Sequence, residues 1–296
     1  METALHTLSG HYVRQAADTD EKLIELWSHG RAKNTQGAYK RDIKLFLQFV
    51  DGKPLAMITV GDLQGFADTL AHLSPASKNR RLSAVKSLLT YGHRIGWLPF
   101  NVGAALKLGA VKNTLAERIM TLAEVTAILG AVTSNRDRVL VLLLYVAGLR
   151  ASEVAGIQWK DVQSRHDAGQ VTVQGKGGST RAILLPASTW LELVALRNGS
   201  GGEDYVFQSR KGGGPLHRSQ VLRIVQAAAT AAGVQVSGKR SAVSPHWLRH
   251  AHASHSLDRG CPISLVQATL GHSNVATTGR YLHARPHDSS ACYLGR

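Results

Sequence analysis

The sequence predicts a mainly α-helical protein with a small β-hairpin, arranged as two domains. Three observations carry this. Apolar residues recur at helical spacing through most of the chain. Two short β-like runs, "VTVQ" and "RAILLP", flank the glycine-rich "GKGGST" and read as a hairpin. The length, 296 residues, exceeds the ~100–200 typical of one domain.

In chain order, the first 30 residues are polar and mixed, an arm leading into the start of a helix. In "NTQGAYKRDIKLFLQFV" the residues Tyr39, Ile43, Phe46, Leu47 and Val50 form one helical stripe, with Thr35 placed to cap its start. "TVGDLQGFADTLAHL" repeats the period, and "SPASKNRRLSAVKSLLTYGHRIGWL" gives a third, longer helix. These make an all-helical domain over 1–110. Glycine, small residues and charge mix in "KLGAVKNTLAERIM", which places a linker at 111–120 and a second domain at 121–296. That domain opens on a capping box, Thr121 with Glu124. Its run "VLVLLLYVAGL", Val139 to Leu149, is about half the ~20 residues needed to cross a bilayer and reads as a buried core helix. Helices are then expected at 187–197, 217–232, 245–258, 262–270 and 274–283.

Lys and Arg total 35 against 20 Asp and Glu, a formal charge of +15 that favours a polyanionic partner. Residues 1–112 carry 15 basic and 9 acidic side chains and residues 113–296 carry 20 and 11, so both domains are basic. Nucleic acid held between two positive lobes fits this better than a single basic tail does. Two cysteines, Cys261 and Cys292, lack the spacing of a zinc knuckle or disulfide framework. "METALHTLSGHYVRQ" lacks an export signal, so a reducing cytoplasm is expected, with nucleoid association.

Five places could carry chemistry. In "SPHWLRHAHASH", Ser244 suits an N-cap and Pro245 the first helical position, which puts His246 and Arg249 on one face of a turn whose N–H groups would welcome a phosphate. A solvated polar helix end accounts for it equally well. A metal site is the other rival, with His246 and His250 four apart. The H-E-x-x-H glutamate is absent, however, and His252 and His255 point to other faces. Arg150, after the apolar run in "GLRASE", either snorkels out of the core or grips an anion, with Gly148 permitting a bend and Glu153 orienting the guanidinium. Lys176 in "QGKGGST" lacks the P-loop spacing and, alone, reads as a solvated turn lysine. His272 follows a helix stop at Gly271, and Tyr281 lies nine residues on, in a helix that Gly279 weakens and leaves mobile. An isolated helical tyrosine is ordinarily a packing residue.

Together these pieces resemble the tyrosine recombinase (phage integrase) family. Its catalytic domain carries, in order, G-L-R-x-x-E, a β-hairpin lysine, H-x-L-R-H, and L-G-H followed nine residues later by tyrosine. This chain has "GLRASE", Lys176, "HWLRH" and "LGHSNVATTGRY", a resemblance covering Thr121 to Tyr281. On Thr35, Tyr39 and Phe46 the first domain is similar to the family's helical, SAM-like core-binding domain, and the second to its α+β catalytic domain. The chain departs from the pattern at "LPFNVG", where the family commonly has Asn-Pro, and at Trp247, where a polar residue is common.

The resemblance implies a site-specific recombinase that cuts and rejoins DNA through a 3′-phosphotyrosine and a Holliday junction, without metal, ATP or other cofactor. Tyr281 is then the nucleophile and Arg150 and Arg249 grip the non-bridging oxygens. His272 donates to those oxygens, His246 helps deprotonate the tyrosine, and Lys176 protonates the 5′-oxygen. The implied partners are duplex DNA with a specific site and a homotetramer on two such sites, with or without a paralogous recombinase or accessory protein, and no membrane. Lys40, Arg41, Lys78, Arg80, Arg81 and Lys86 are candidates for DNA contact, mostly to phosphates. A solvated basic face is the alternative for each. The segment "LHARPHDSSACYLGR" is expected either to dock on a neighbour or to fray. With no arm-binding domain ahead of the helical one, an Xer-like or Cre-like enzyme is expected. The rivals are a type IB topoisomerase and a catalytically silent DNA-binding regulator.

Overall fold

A computed structural model describes residues 19–110, 119–166, 168–175, 178–209, 212–234, 243–272, 274–279 and 281. The chain divides into two compact units, Met1–Lys112 and Asn113–Arg296.

In the first unit, α1 (Asp20–Ser28) starts at Thr19, whose Oγ1 accepts from the Lys22 amide. α2 (Lys33–Phe49) starts one turn earlier than the expected Thr35 cap. Ala32 is the N-cap, Gln36 Nε2 holds the incoming Arg31 carbonyl at 2.9 Å, and Thr35 lies inside the first turn. α3 (Val60–Thr69) is closed by a reciprocal Thr59–Asp62 capping box. α4 (Pro75–Arg94) begins on a Ser74 cap with proline in the first turn. Leu23, Ile43, Phe46, Leu63, Leu82, Val85, Leu88 and Leu89 form the core, so the predicted stripes face inward. Asp20 ties its edge, accepting from Trp97 Nε1 at 2.9 Å and from the Leu55 amide at 2.7 Å.

In the second unit, Ile119 and Met120 are buried, so the last two residues of the expected linker are core residues. Residues 111–118 lie outside the described residues. α5 (Leu122–Ala131) opens on the Thr121–Glu124 box. α6 (Asn135–Val146) is the central helix, its residues 139–144 buried on every side, and it packs against the later helices α8 (Ala187–Val194) and α10 (Pro245–Asp258). α7 (Ala151–Ala155) follows a sharp bend. The sheet has three antiparallel strands in the order β1 (Val162–Arg165), β2 (Ala168–Gln174), β3 (Thr180–Leu185), with Val171 opposite both Val162 and Ile183. The hairpin was expected and β1 was not, because "VQSR" is too short and polar to show alternation. Gly169 on β2 admits the Trp190 ring of α8, which a side chain at 169 would strike. α8 stops short of 197 because the chain turns through positive φ at Asn198 and Gly199. α9 (Arg218–Ala231), α10, α11 (Ile263–Leu270) and α12 (Val275–Gly279) complete the unit. Among the described residues no helix is long and apolar enough to cross a membrane.

Candidate active site

The site is built where α6 ends, α10 begins and α11 stops. After α6, Gly148 takes φ +59°, a conformation costly for other residues, and the chain turns so that Arg150 becomes the N-cap of α7. Glu153, one turn on, accepts from the Arg150 amide at 2.8 Å and from Arg150 Nη1 at 2.6 Å. Arg181 of β3 completes a bidentate pair with the same carboxylate at 3.0 and 2.9 Å, and Arg249 of α10 stands 4.0 Å away. Burial alone would raise the Glu153 pKa. The hydrogen bonds from Arg181 and the Arg150 amide outweigh it and hold the carboxyl at about 2.

The C-terminus of α11 supplies the rest. Gly271 takes φ +61° and ends the helix, leaving unpaired carbonyls at the negative end of its dipole. Three arginines reach them in succession: Arg181 Nε to Thr269 O at 2.7 Å, Arg249 Nη2 to Leu270 O, and Arg150 Nη2 to Gly271 O at 3.4 Å. Arg249 Nη1 also donates to Gly148 O. Three guanidiniums against one carboxylate leave the pocket cationic. Arg150, its side chain 31% exposed, is the one of the three that most reaches solvent. Burial, then the neighbouring Arg150, lowers Arg249 to about 10, still cationic at neutral pH.

His272 leaves this helix end with Nδ1 2.9 Å from Oγ1 of the buried Thr278. Burial first, then Arg249, Arg150 and Arg181, lower its pKa to about 4, so the imidazole is neutral at physiological pH. His246, at the exposed start of α10, is also lowered, by partial removal from water and then by Arg249 and Arg150.

Tyr281 departs from expectation. α12 ends at Gly279, so the tyrosine is not two turns into a regular helix, and its ring is buried. It is 6% exposed and packs with Ile119, Ala253, Val266 and Leu270, while its amide bonds Thr278 O. Its phenol oxygen lies 2.6 Å from His250 Nδ1. The histidines of α10 accordingly diverge to separate tasks. His252 packs beneath Gly148, its pKa lowered to about 4 chiefly by burial, and His255 bridges the Tyr145 hydroxyl and the Met120 carbonyl at 3.0 and 2.9 Å. Among the described residues no group of three or more His, Cys, Asp or Glu is placed to hold a metal ion.

Lys176, Ser273 and the segment after Tyr281 lie outside the described residues. Of the candidate DNA contacts, Lys40 and Arg41 are exposed on α2 and Lys78 is half-buried. Arg80 and Arg81 flank the buried Asp42, Arg80 through both terminal nitrogens and Arg81 at 3.9 Å. Lys86 Nζ bonds the Leu106 carbonyl at 2.8 Å. These last three therefore also hold the first unit together. The sequence reading passed over Arg181 and Thr278 and weighed His250 only as a metal ligand. Arg181 had a signal: in "TRAILL" it shares a face with Ile183 and Leu185, and a charge on the buried face of a strand requires a partner.

Residues 116–287 match the phage integrase family, and residues 23–94 match the phage integrase N-terminal SAM-like domain. The chain is 34% identical over 262 residues to tyrosine recombinase XerC of Xanthomonas campestris pv. campestris, covering 84% of this chain and 78% of that one. To tyrosine recombinase XerD of Vibrio cholerae it is 31% identical over 291 residues, covering 91% and 94%. A lambda integrase (75–356) dimer solved on a COC′ core site has the same fold, with a TM-score of 0.74 at 23% identity over 91% of this chain and 95% of that one. With the motifs in order, the arginines gathered on one helix end and both regions matched, the chain belongs to the phage integrase family of tyrosine recombinases.

Proposed function

We propose that this protein recombines DNA at a specific duplex site, with Tyr281 as the nucleophile. The observation that carries the reading is the convergence of Arg150, Arg249 and the neutral His272 on the C-terminal end of α11, beside a tyrosine the same helix helps to seat. A phosphodiester brought to this excess of positive charge has its non-bridging oxygens met by preorganised donors. Arg150, the more exposed guanidinium, takes the outer position and Arg249 the inner one. His246 joins them from the first turn of α10, where helix N–H groups also favour an anion.

The Tyr281 oxygen forms a bond to phosphorus as the bond from phosphorus to the 5′-oxygen breaks. The product is a 3′-phosphotyrosine and a 5′-hydroxyl, whose proton comes from Lys176. Religation is the same step reversed, by a 5′-hydroxyl of the same or another strand, so four copies on two sites exchange strands through a Holliday junction. The relatives support this by name, and structures with the same fold were solved as a dimer on a core site and a tetramer on a Holliday junction. Lys40, Arg41 and Lys78, with the more committed Arg80, Arg81 and Lys86, supply backbone contacts from the first unit.

The test begins by selecting a site from a random-sequence duplex pool with Tyr281→Phe protein. A nicked suicide duplex carrying that site is then incubated with wild type. The expected result is a covalent adduct mapped to Tyr281, absent with Tyr281→Phe. Relaxation of a plasmid lacking the site, with no preference for the selected duplex, would instead mark a topoisomerase.

A further inference from the structure

We propose that His250 is the catalytic base of Tyr281, the group that takes the phenolic proton as the tyrosine attacks. This rests on the recombinase reading above and assigns a role that the family resemblance places on His246.

The geometry is direct. A general base must lie within about 2.6–3.2 Å of the atom it deprotonates, and His250 Nδ1 is 2.6 Å from Tyr281 Oη, the rings 5.7 Å apart at 47°. With its own proton on Nε2, His250 accepts the phenolic hydrogen at Nδ1. The tyrosine ring is enclosed by Ile119, Ala253, Val266 and Leu270, so an acceptor inside the protein is what its attack requires. His246 stands one turn back on α10, its ring centroid 6.3 Å from that of His250, on the side where Arg249 and Arg150 act on it. With burial and both guanidiniums disfavouring its cationic form, the His246 imidazole is a better donor to phosphate oxygen than a receiver of a proton. The two histidines thus divide the work: His246 faces the phosphate and His250 the nucleophile.

Helix geometry makes the assignment stiff. Arg249 and His250 are neighbours on one regular helix, so the backbone positions from which the buried guanidinium and the base project are fixed relative to each other. The proton balance closes. Tyr281 loses its hydrogen to His250 Nδ1 as its oxygen bonds phosphorus, the 5′-oxygen leaves with a proton from Lys176, and His250 returns its proton to the phenol oxygen when a 5′-hydroxyl attacks the phosphotyrosine.

The experiment measures single-turnover cleavage of the selected nicked duplex, and of the same duplex with sulfur in place of the scissile 5′-oxygen, a leaving group that needs no acid. His250→Asn keeps a hydrogen-bond acceptor near the Nδ1 position but has no basicity. It is expected to form the adduct about 10²-fold more slowly than wild type, within the range of general-base effects, at unchanged DNA affinity. Sulfur should not restore it, because the lost step lies at the nucleophile. His250→Ala should be at least as slow, and if that variant fails to fold His250→Asn decides alone. Wild-type rates in His250→Asn, faster cleavage in His250→Ala, or rescue by sulfur would each overturn the assignment. A wild-type protein that forms no adduct with either duplex would overturn the recombinase reading itself, whereas a wild-type adduct with an unimpaired His250→Asn removes only this role.

Discussion

Two carboxyl groups, one in each unit, have the same pKa for different reasons. Asp62 in the first unit is held at about 2 by the Lys53 ammonium and the Thr59 amide, with little opposition from burial. Glu153 in the second reaches about 2 against a burial effect that would raise it, because arginines and an amide surround it. Asp62 closes a helix end at the surface, whereas Glu153 organises a cationic pocket in the interior. The second unit has therefore built its site on a buried carboxylate that gathers three arginines, a larger charged centre than any among the described residues of the first. Its buried Asp42 between Arg80 and Arg81 is the nearest approach to such a centre.

The largest break in this comparison should come from Glu153→Gln. Removing one partner of a buried ionic network leaves the others uncompensated, so a loss of about 3–5 kcal/mol is expected in denaturant unfolding of the second unit. Adduct formation should fall with it, since Arg150 and Arg181 lose the group that aims them. Asp62→Asn, by contrast, should cost about 1 kcal/mol, as expected of a single ion pair that still reaches solvent. Comparable losses would show that the two carboxyls are not different in kind.

Acid separates the units further. Glu153 has a folded pKa below its ordinary 4.5, so its stabilisation is present above that value and is lost as pH falls through about 2, roughly 3 kcal/mol in all. His252 and His272, lowered from 6.5 to about 4, act in the same direction. They are neutral in the fold, the unfolded chain binds their protons first, and stability is lost as pH falls from 6.5 toward 4. Hydrogen exchange should thus show amides of α6 and α10 losing protection between pH 7 and pH 4 while those of α4 hold. Loss of α4 first would reverse the comparison.

A finer effect is expected at Thr278→Val, which keeps the packing and removes the hydroxyl 2.9 Å from His272 Nδ1. With the imidazole no longer oriented, single-turnover cleavage should fall about tenfold, near 1.4 kcal/mol of transition-state stabilisation, with little change in melting temperature. The smallest effects belong to the exposed basic residues of the first unit. Lys40→Ala and Arg41→Ala should each weaken DNA binding a few-fold and lower the salt slope of the affinity by about 1 if each meets a phosphate, without altering stability. An unchanged slope would mark them as solvated surface.

Much of this was legible in the sequence because it is local. Helical stripes, the Thr121–Glu124 box, the Gly148 bend and the Gly271 stop depend on neighbours within a turn or two, and each stands where the pattern placed it. Local reasoning failed where several neighbours could serve one helix end, or where a partner lay far along the chain. Thr35 looked like a cap because its type suits one, yet Gln36 reaching the Arg31 carbonyl fixed an earlier start. Gly279 pointed only to a weak helix, whereas the place where the Tyr281 ring packs is set by α10, α11 and Ile119.

By itself, then, the sequence determined the helices, the hairpin, the positive charge and the order of the residues that carry the family's chemistry. All of these follow from side-chain type at short spacing. Tertiary structure alone decided that Arg150, Arg181 and Arg249, from three separate elements, share one carboxylate and the carbonyls of one helix end, and that His250 rather than a nearer sequence neighbour meets the tyrosine. The reason is that a buried charge or phenol must find its partner in space. Which one it finds depends on how α6, α10 and α11 pack, a property of the whole core that no short window of residues contains.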